Sequence, residues 1–170
     1  LNHGIDRNLR VLGPQAADFA LELAAAAPVA LVLDADGLNA HAGRLDRLSD
    51  RQAPTVLTPH AGELARLLGT SATEVSARRL EHARAAACQA NAIVVLKGDD
   101  TIVATPASSI AINPGDSPGL ATAGTGDVLA GMLGALLAQG FDAWQCVVAA
   151  AWLHGAAVRG TGDIGIVAGD

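Results

Sequence analysis

Apolar residues fall along this chain in two rhythms. Short unbroken runs, "ALVL" at 30–33 and "AIVVL" at 92–96, end in polar or turn-forming residues. Runs of that length without alternation read as strands covered on both faces. The first belongs to "VALVLDAD", which closes on two acids, and the second continues into Lys97 and Gly98. Shorter runs, "TVLTP" at 55–59, "TIVAT" at 101–105 and "SIAIN" at 109–113, predict three more strands, the last two flanking a turn at Pro106.

The second rhythm is helical. "QAADFALELAAAA" at 15–27 carries Phe19, Leu21 and Leu23 in an alanine-rich pattern. "GLNAHAGRLDRL" at 37–48 predicts a further helix. "HAGELARLLG" predicts one that stops at Gly69, with Pro59 suited to its first position and Thr58 to its cap. Residues 73–91 predict a single surface helix with clustered charges, its neighbours following at about 127–139 and 142–159. Strands alternating with helices argue for one α/β domain over 1–170 with a mostly parallel sheet. In such folds ligands collect at the carboxyl ends of the strands. Asp34 and Asp36, Thr58 to His60, and Lys97 to Gly98 all sit at those ends.

Composition narrows the class. The 170 residues are 51% hydrophobic and 16% charged, too apolar for disorder. No apolar stretch is long enough to span a bilayer, and no signal peptide opens the chain, so a cytoplasmic protein without a membrane partner is expected. The net charge of −6 and the 2% aromatic content argue against a nucleic-acid partner. Cys88 and Cys146 lie far apart in helical patterns and read as small hydrophobes in a reducing compartment.

The densest chemistry lies in "GLATAGTGDVLAGMLGALLAQG". After Gly126 a helix puts Val128, Leu129, Met132, Leu133, Leu136 and Leu137 on one stripe. Ala130, Gly131, Gly134 and Ala135 leave a flat side for a close neighbour, which predicts burial on most sides. A helix N-terminus carries unpaired N–H groups and partial positive charge, and Gly124 and Gly126 let an anion reach the backbone. Asp127 suits either a general base beside a phosphate's target or a plain first-turn carboxylate. Neither G-x-x-x-x-G-K-[ST] nor G-x-G-x-x-G is present, Leu129 standing at the third glycine's place. Lys97 can reach a phosphate as a point charge, with Gly98 letting the chain turn. His60 and Glu63 are expected to face outward over the strand ends. "LVLDADGLNA" gives Asp34, Asp36 and Asn39, and its two acids can hold Mg²⁺ through water, or merely cap and solvate.

In order, "VLDADGLNA", "LTPHAGELARLLG", "VVLKGDDT", "INPGDSPGLATAGTGDVLAG" and "AAWLHGAAV" resemble the ADP/ATP-dependent NAD(P)H-hydrate dehydratase family over about residues 28–158. The resemblance implies a ribokinase-like three-layer fold. It implies dehydration of the S epimer of NAD(P)H hydrate, with ADP or ATP and Mg²⁺ as cofactors and AMP and phosphate as products when ADP is used. It implies a nucleotide segment over Lys97, Gly98, Asp99, Asp100 and Thr101. A second covers Ser117, Pro118, Gly119, Leu120, Ala121, Thr122, Ala123, Gly124, Thr125 and Gly126. It places the hydrate at His60, Ala61, Gly62 and Glu63, and makes Asp127 the base. A homo-oligomer is expected. The family's domain also has a longer N-terminal part and a last helix, so "NHGIDRN" reads as a trace of a glycine-rich loop and the chain as shortened at both ends. A ribokinase-fold kinase of the hydroxymethylpyrimidine or thiazole type, and an inactive nucleotide-binding remnant, stand as the alternatives.

Overall fold

The two rhythms become a five-stranded sheet with helices on both faces. The computed structural model describes residues 14–114 and 124–159. The described elements are α1 Pro14–Ala26, β1 Leu31–Leu33, α2 Ala35–Ala40, a 3-10 turn Leu45–Leu48, β2 Thr55–Leu57, α3 Ala61–Leu68, α4 Ala72–Ala77 and α5 Arg79–Ala90. They continue with β3 Ile93–Leu96, β4 Thr101–Ala104, β5 Ile110–Asn113, α6 Thr125–Leu137 and α7 Ala143–Arg159.

The strands lie in the order β1-β2-β3-β4-β5. β1, β2 and β3 are parallel, in register Val32 to Val56 and Val56 to Ile93. β4 and β5 are antiparallel to their predecessors, pairing Val95 with Val103 and Ile102 with Ile112. The expected parallel sheet is therefore its first half, and the sheet as a whole is mixed. Length decides this: the few residues between Leu96 and Thr101 cannot form a crossover, so the chain must turn back on itself. Two reversals return the end of β5 to the edge where β1, β2 and β3 end. The turn between β4 and β5 lies at the other edge. There Ser108 adopts φ +67°, and the exposed Cys88 at the end of α5 places its sulfur 3.8 Å from the Pro106 carbonyl.

Alternation along the strands feeds two cores. Leu33, Leu57, Val94, Leu96 and Ile102 face the layer of α2 to α5, where Leu38, Leu64 and Leu67 are buried. Val56, Ile93, Val95 and Val103 face α6 and α7 through Leu129, Leu133, Val147 and Ala150. Each fully buried leucine contributes about 1.5–3 kcal/mol. Alanines at 83, 86, 87 and 90 bring α5 close to the sheet.

Several local expectations change. Residues 37–48 do not form one helix: α2 ends at Ala40, Gly43 takes φ +65°, and the chain re-forms only as the 3-10 turn. Residues 73–91 break at Arg78, whose φ −136° and ψ 52° separate α4 from α5. The flat side of α6 packs on no element of the described chain. Nothing lies within 4 Å of a β-carbon built on Gly131 or Gly134, and Val128 is 40% exposed. Leu129, Leu133 and Leu137 alone of its stripe are buried, so the described residues cover the helix on one side rather than on most.

Candidate active site

The carboxyl ends of β1, β2 and β3 gather the polar residues. β1 ends at Leu33 and the chain turns sharply into α2 through Ala35, a non-glycine residue at φ +45°. Strain of this kind survives where the surroundings enforce it. Asp34 occupies the cap position of α2 but makes no cap hydrogen bond. Its carboxylate turns instead to Lys97 at the end of β3, with Lys97 Nζ 2.8 Å from Asp34 Oδ1. Both side chains are mostly buried, Lys97 23% and Asp34 15% exposed, so the pair is shielded from full solvent screening. Asp36 lies in the first turn of α2, and Asn39 accepts a hydrogen bond from Arg66 Nε at 2.9 Å, tying α2 to α3.

β2 delivers Thr58, Pro59 and His60. Thr58 does not cap α3. Its amide and hydroxyl both donate to the Leu33 carbonyl, at 3.1 and 3.2 Å, extending the join between β1 and β2. The cap is His60. Its Nδ1 accepts from the amides of Gly62 at 2.9 Å and Glu63 at 3.3 Å, while Glu63 Oε2 accepts from the His60 amide at 2.8 Å. This is a capping box built on a histidine. It also corrects the expected orientation, because Glu63 is buried beneath the cap rather than turned to solvent. With Nδ1 accepting, the neutral ring carries its proton on Nε2, which lies 3.5 Å from Glu63 Oε1. Partial burial lowers the His60 pKa. The Lys97 and Arg66 charges push the same way, and Glu63 and Asp34 oppose them. The Lys97 amide donates to the Pro59 carbonyl at 2.9 Å, placing His60 and Lys97 side by side.

The N-terminus of α6 meets this edge. Gly124 is its cap residue at φ +94°, a conformation that demands glycine, and it brings no side chain to the cap. Gly126 serves differently: a β-carbon there would stand 3.3 Å from Lys97 Nζ and 3.6 Å from Asp34 Oδ2. The turn of α6 thus rests on the Lys97–Asp34 pair. Asp127, third in the helix, is exposed. Among the sequence-predicted residues, Ser117, Pro118, Gly119, Leu120, Ala121, Thr122 and Ala123 lie outside the described residues.

Beside the pair opens a cleft of about 440 Å³, lined by His60, Ser76, Arg79, Lys97, Asp99 and Asp100 among others. Two residues near Lys97 carried no role in the sequence. Arg79 reaches the 97–100 turn from the start of α5, and its signal was lost among the clustered charges of 73–91. His154 of α7 lies 2.8 Å through Nε2 from the Thr125 carbonyl. A carbonyl only accepts, so Nε2 carries the proton. Burial lowers the His154 pKa, the carbonyl bond opposes that, and Lys97 adds to it. The motif "AAWLHGAAV" was the available signal for His154.

A glycine-capped helix end, a held lysine and a capped histidine share one edge. A family profile described as NAD(P)H-hydrate dehydratase matches residues 10–163. The chain belongs to this family. It is 52% identical over 146 residues to the bifunctional NAD(P)H-hydrate repair enzyme of Gloeobacter violaceus, covering 86% of this chain and 28% of that protein. It is 46% identical over 129 residues to the ADP-dependent (S)-NAD(P)H-hydrate dehydratase of Neisseria meningitidis, covering 75% and 44%. The crystal structure of the Bacillus subtilis ADP/ATP-dependent NAD(P)H-hydrate dehydratase, co-crystallised with ATP and Mg²⁺, superimposes with a TM-score of 0.77 at 34% identity. That match covers 91% of this chain and 54% of that one, so the chain spans about half of the solved dehydratase. The expected ribokinase-like α/β fold is borne out.

Proposed function

We propose that this dehydratase-family chain restores NAD(P)H from the S epimer of its hydrate, converting ADP to AMP and phosphate. The observation that carries the reading is the meeting of α6 with β3. A glycine-capped helix N-terminus, a glycine with no β-carbon and a lysine held by a carboxylate converge there. That combination receives a phosphoryl group. The ADP dependence named for the Neisseria relative and the ATP of the Bacillus crystals support the nucleotide as co-substrate.

The chemistry follows from a poor leaving group. The hydrate carries a hydroxyl at C6 of its nicotinamide ring, and hydroxide does not leave readily. Asp127 takes the hydroxyl proton as the oxygen attacks the terminal phosphorus of ADP. The bond from that phosphorus to the bridging oxygen breaks, and AMP leaves. Amides of the Gly124, Thr125 and Gly126 turn, with Lys97, neutralise charge on the migrating phosphoryl group. The ring nitrogen then pushes its lone pair towards C6 and phosphate departs. Loss of a proton from C5 restores the double bond. Lys97, Gly98, Asp99, Asp100 and Thr101, with Ser117 to Gly126, receive the nucleotide, and His60, Ala61, Gly62 and Glu63 receive the hydrate. His60 offers its Nε2–H for that purpose, Nδ1 being committed to the helix cap.

Among the described residues no three carboxylate, imidazole or thiol side chains converge as metal ligands, and Asp34 is engaged by Lys97. These described residues do not by themselves build a Mg²⁺ centre. No described helix is long and apolar enough to cross a membrane. A homo-oligomer completes the reading, the uncovered flat side of α6 being one surface open to a second copy.

The test supplies NADPH hydrate, Mg²⁺ and ADP, and follows the return of reduced-nicotinamide absorbance. Recovery that requires nucleotide and releases AMP and phosphate is expected. A folded chain that restores no absorbance with either ADP or ATP overturns the assignment.

A further inference from the structure

We infer that Arg79 is a positioning residue for nucleotide, holding the 97–101 segment in its receiving shape; this rests on the nucleotide role proposed for that segment. Arg79 is the first residue of α5, directly after the break at Arg78. Its Nε donates to Asp100 Oδ1 at 2.8 Å, and its Nη2 donates to the Asp100 carbonyl at 2.7 Å and the Leu96 carbonyl at 3.3 Å. One guanidinium therefore joins the residue that enters the turn to the residue that leaves it. The middle of the turn lies against the same group. A β-carbon on Gly98 would stand 2.5 Å from Arg79 Nη1, 2.6 Å from Nη2 and 2.8 Å from Cζ. Gly98 is not among the positive-φ glycines, so glycine here makes room for the guanidinium rather than for an unusual turn conformation, and a β-carbon would displace that group.

The clamp also answers an electrostatic problem. A segment meant for polyphosphate carries two adjacent acids, Asp99 and Asp100, whose charges oppose an incoming anion. Arg79 pairs with Asp100 and brings its own positive charge to the wall of the cleft, beside Lys97. Lysine does not substitute, because a single ammonium lacks the planar fork that reaches carboxylate and carbonyls together. The helix break has the same origin. An unbroken helix over 73–91 would continue through Arg78 and Arg79, whereas the break aims the start of α5 at the turn.

The experiment compares Arg79→Gln, Arg79→Lys, Gly98→Ala and the Arg79→Ala/Gly98→Ala double variant. It reads ADP affinity by calorimetry, and KM for ADP and kcat in the hydrate assay. Loss of charge-assisted bonds of this kind corresponds to roughly tenfold or more. Arg79→Gln is expected to weaken ADP binding and raise its KM by that factor, with kcat within about threefold. Arg79→Lys recovers little of the loss. Gly98→Ala reproduces the Arg79→Gln effect in the native background, and adds nothing once Arg79 is alanine, because the group it collides with is gone. Wild-type ADP affinity in a folded Arg79→Gln protein overturns the inference and leaves the nucleotide role of the segment standing. If Arg79→Gln does not fold, a folded Gly98→Ala with unchanged affinity overturns it instead. Absence of ADP binding to the wild-type chain overturns both the inference and the reading beneath it.

Discussion

Lys97 and Asp34 close the ends of two strands that are not neighbours in the sheet, their charged atoms 2.8 Å apart beneath Gly126. The pair spans β2, fixes where the ammonium points, and supplies the floor on which the first turn of α6 rests. Removing one partner of a shielded pair leaves the other uncompensated. Asp34→Asn is expected to lower stability by about 1–3 kcal/mol, between the values for exposed and buried pairs. Urea denaturation measures this. An unchanged midpoint would show the ammonium satisfied by solvent and the floor unnecessary.

Asp127 should separate chemistry from stability. It is exposed at the third position of α6, so its structural value is limited to the helix-end field, about 0.3–1 kcal/mol. Asp127→Asn should cost on the order of a hundredfold or more in kcat if it is the base. Equal kcat in the two proteins would reduce the residue to a helix-end carboxylate.

His154 should matter through geometry. Its bond to the Thr125 carbonyl ties α7 to the first turn of α6, the proposed phosphoryl-receiving turn. Gln places an amide N–H near the position of Nε2, whereas Leu offers no donor. His154→Leu is expected to lower stability by roughly 1 kcal/mol and to depress kcat, and His154→Gln to retain most of both. Equal behaviour of the two variants in thermal melts and turnover would mean that the bond does not position the turn.

Stability should depend on pH through three histidines. Burial is the main cause that lowers the pKa of His41, His60 and His154 in the folded chain. The unfolded chain, with ordinary values near 6.5, then binds more protons below that pH. Stability from these groups is complete above about pH 6.5 and falls as the pH drops towards the lowered folded values. Below its folded pKa, His60 also loses the Nδ1 lone pair that caps α3. Denaturation at pH 7.5 and 5.5 should show the lower midpoint at 5.5, and His60→Asn, which keeps a capping acceptor, should reduce the difference. A profile flat across that range would contradict all of this.

What the sequence disclosed follows the range of the forces involved. Unbroken apolar runs mark β1 and β3 because both their faces are covered, and Gly69 marks the end of α3 because its φ of +67° is a local demand. The break at Arg78 was hidden, since Arg79 is drawn to Leu96 and Asp100, partners about twenty residues ahead. The cap of α3 was misplaced for a similar reason: Thr58 is the better capping residue locally, but the Leu33 carbonyl claims it. The flat side of α6 looked like a packing surface because sequence shows shape complementarity only from one side. The proposed site residues were singled out by their order along the chain, while Arg79, which has no short-range motif, was not.

The remote edge of the sheet has a practical use. Cys88 is exposed beside the β4–β5 turn, whereas Cys146, a residue of α7, is buried against the sheet. A maleimide dye should therefore modify one thiol selectively, at the end of the sheet opposite the edge where β1, β2 and β3 end. The native chain thus carries its own attachment point for a fluorophore, and ligand binding can be followed there without engineering a handle or crowding the cleft.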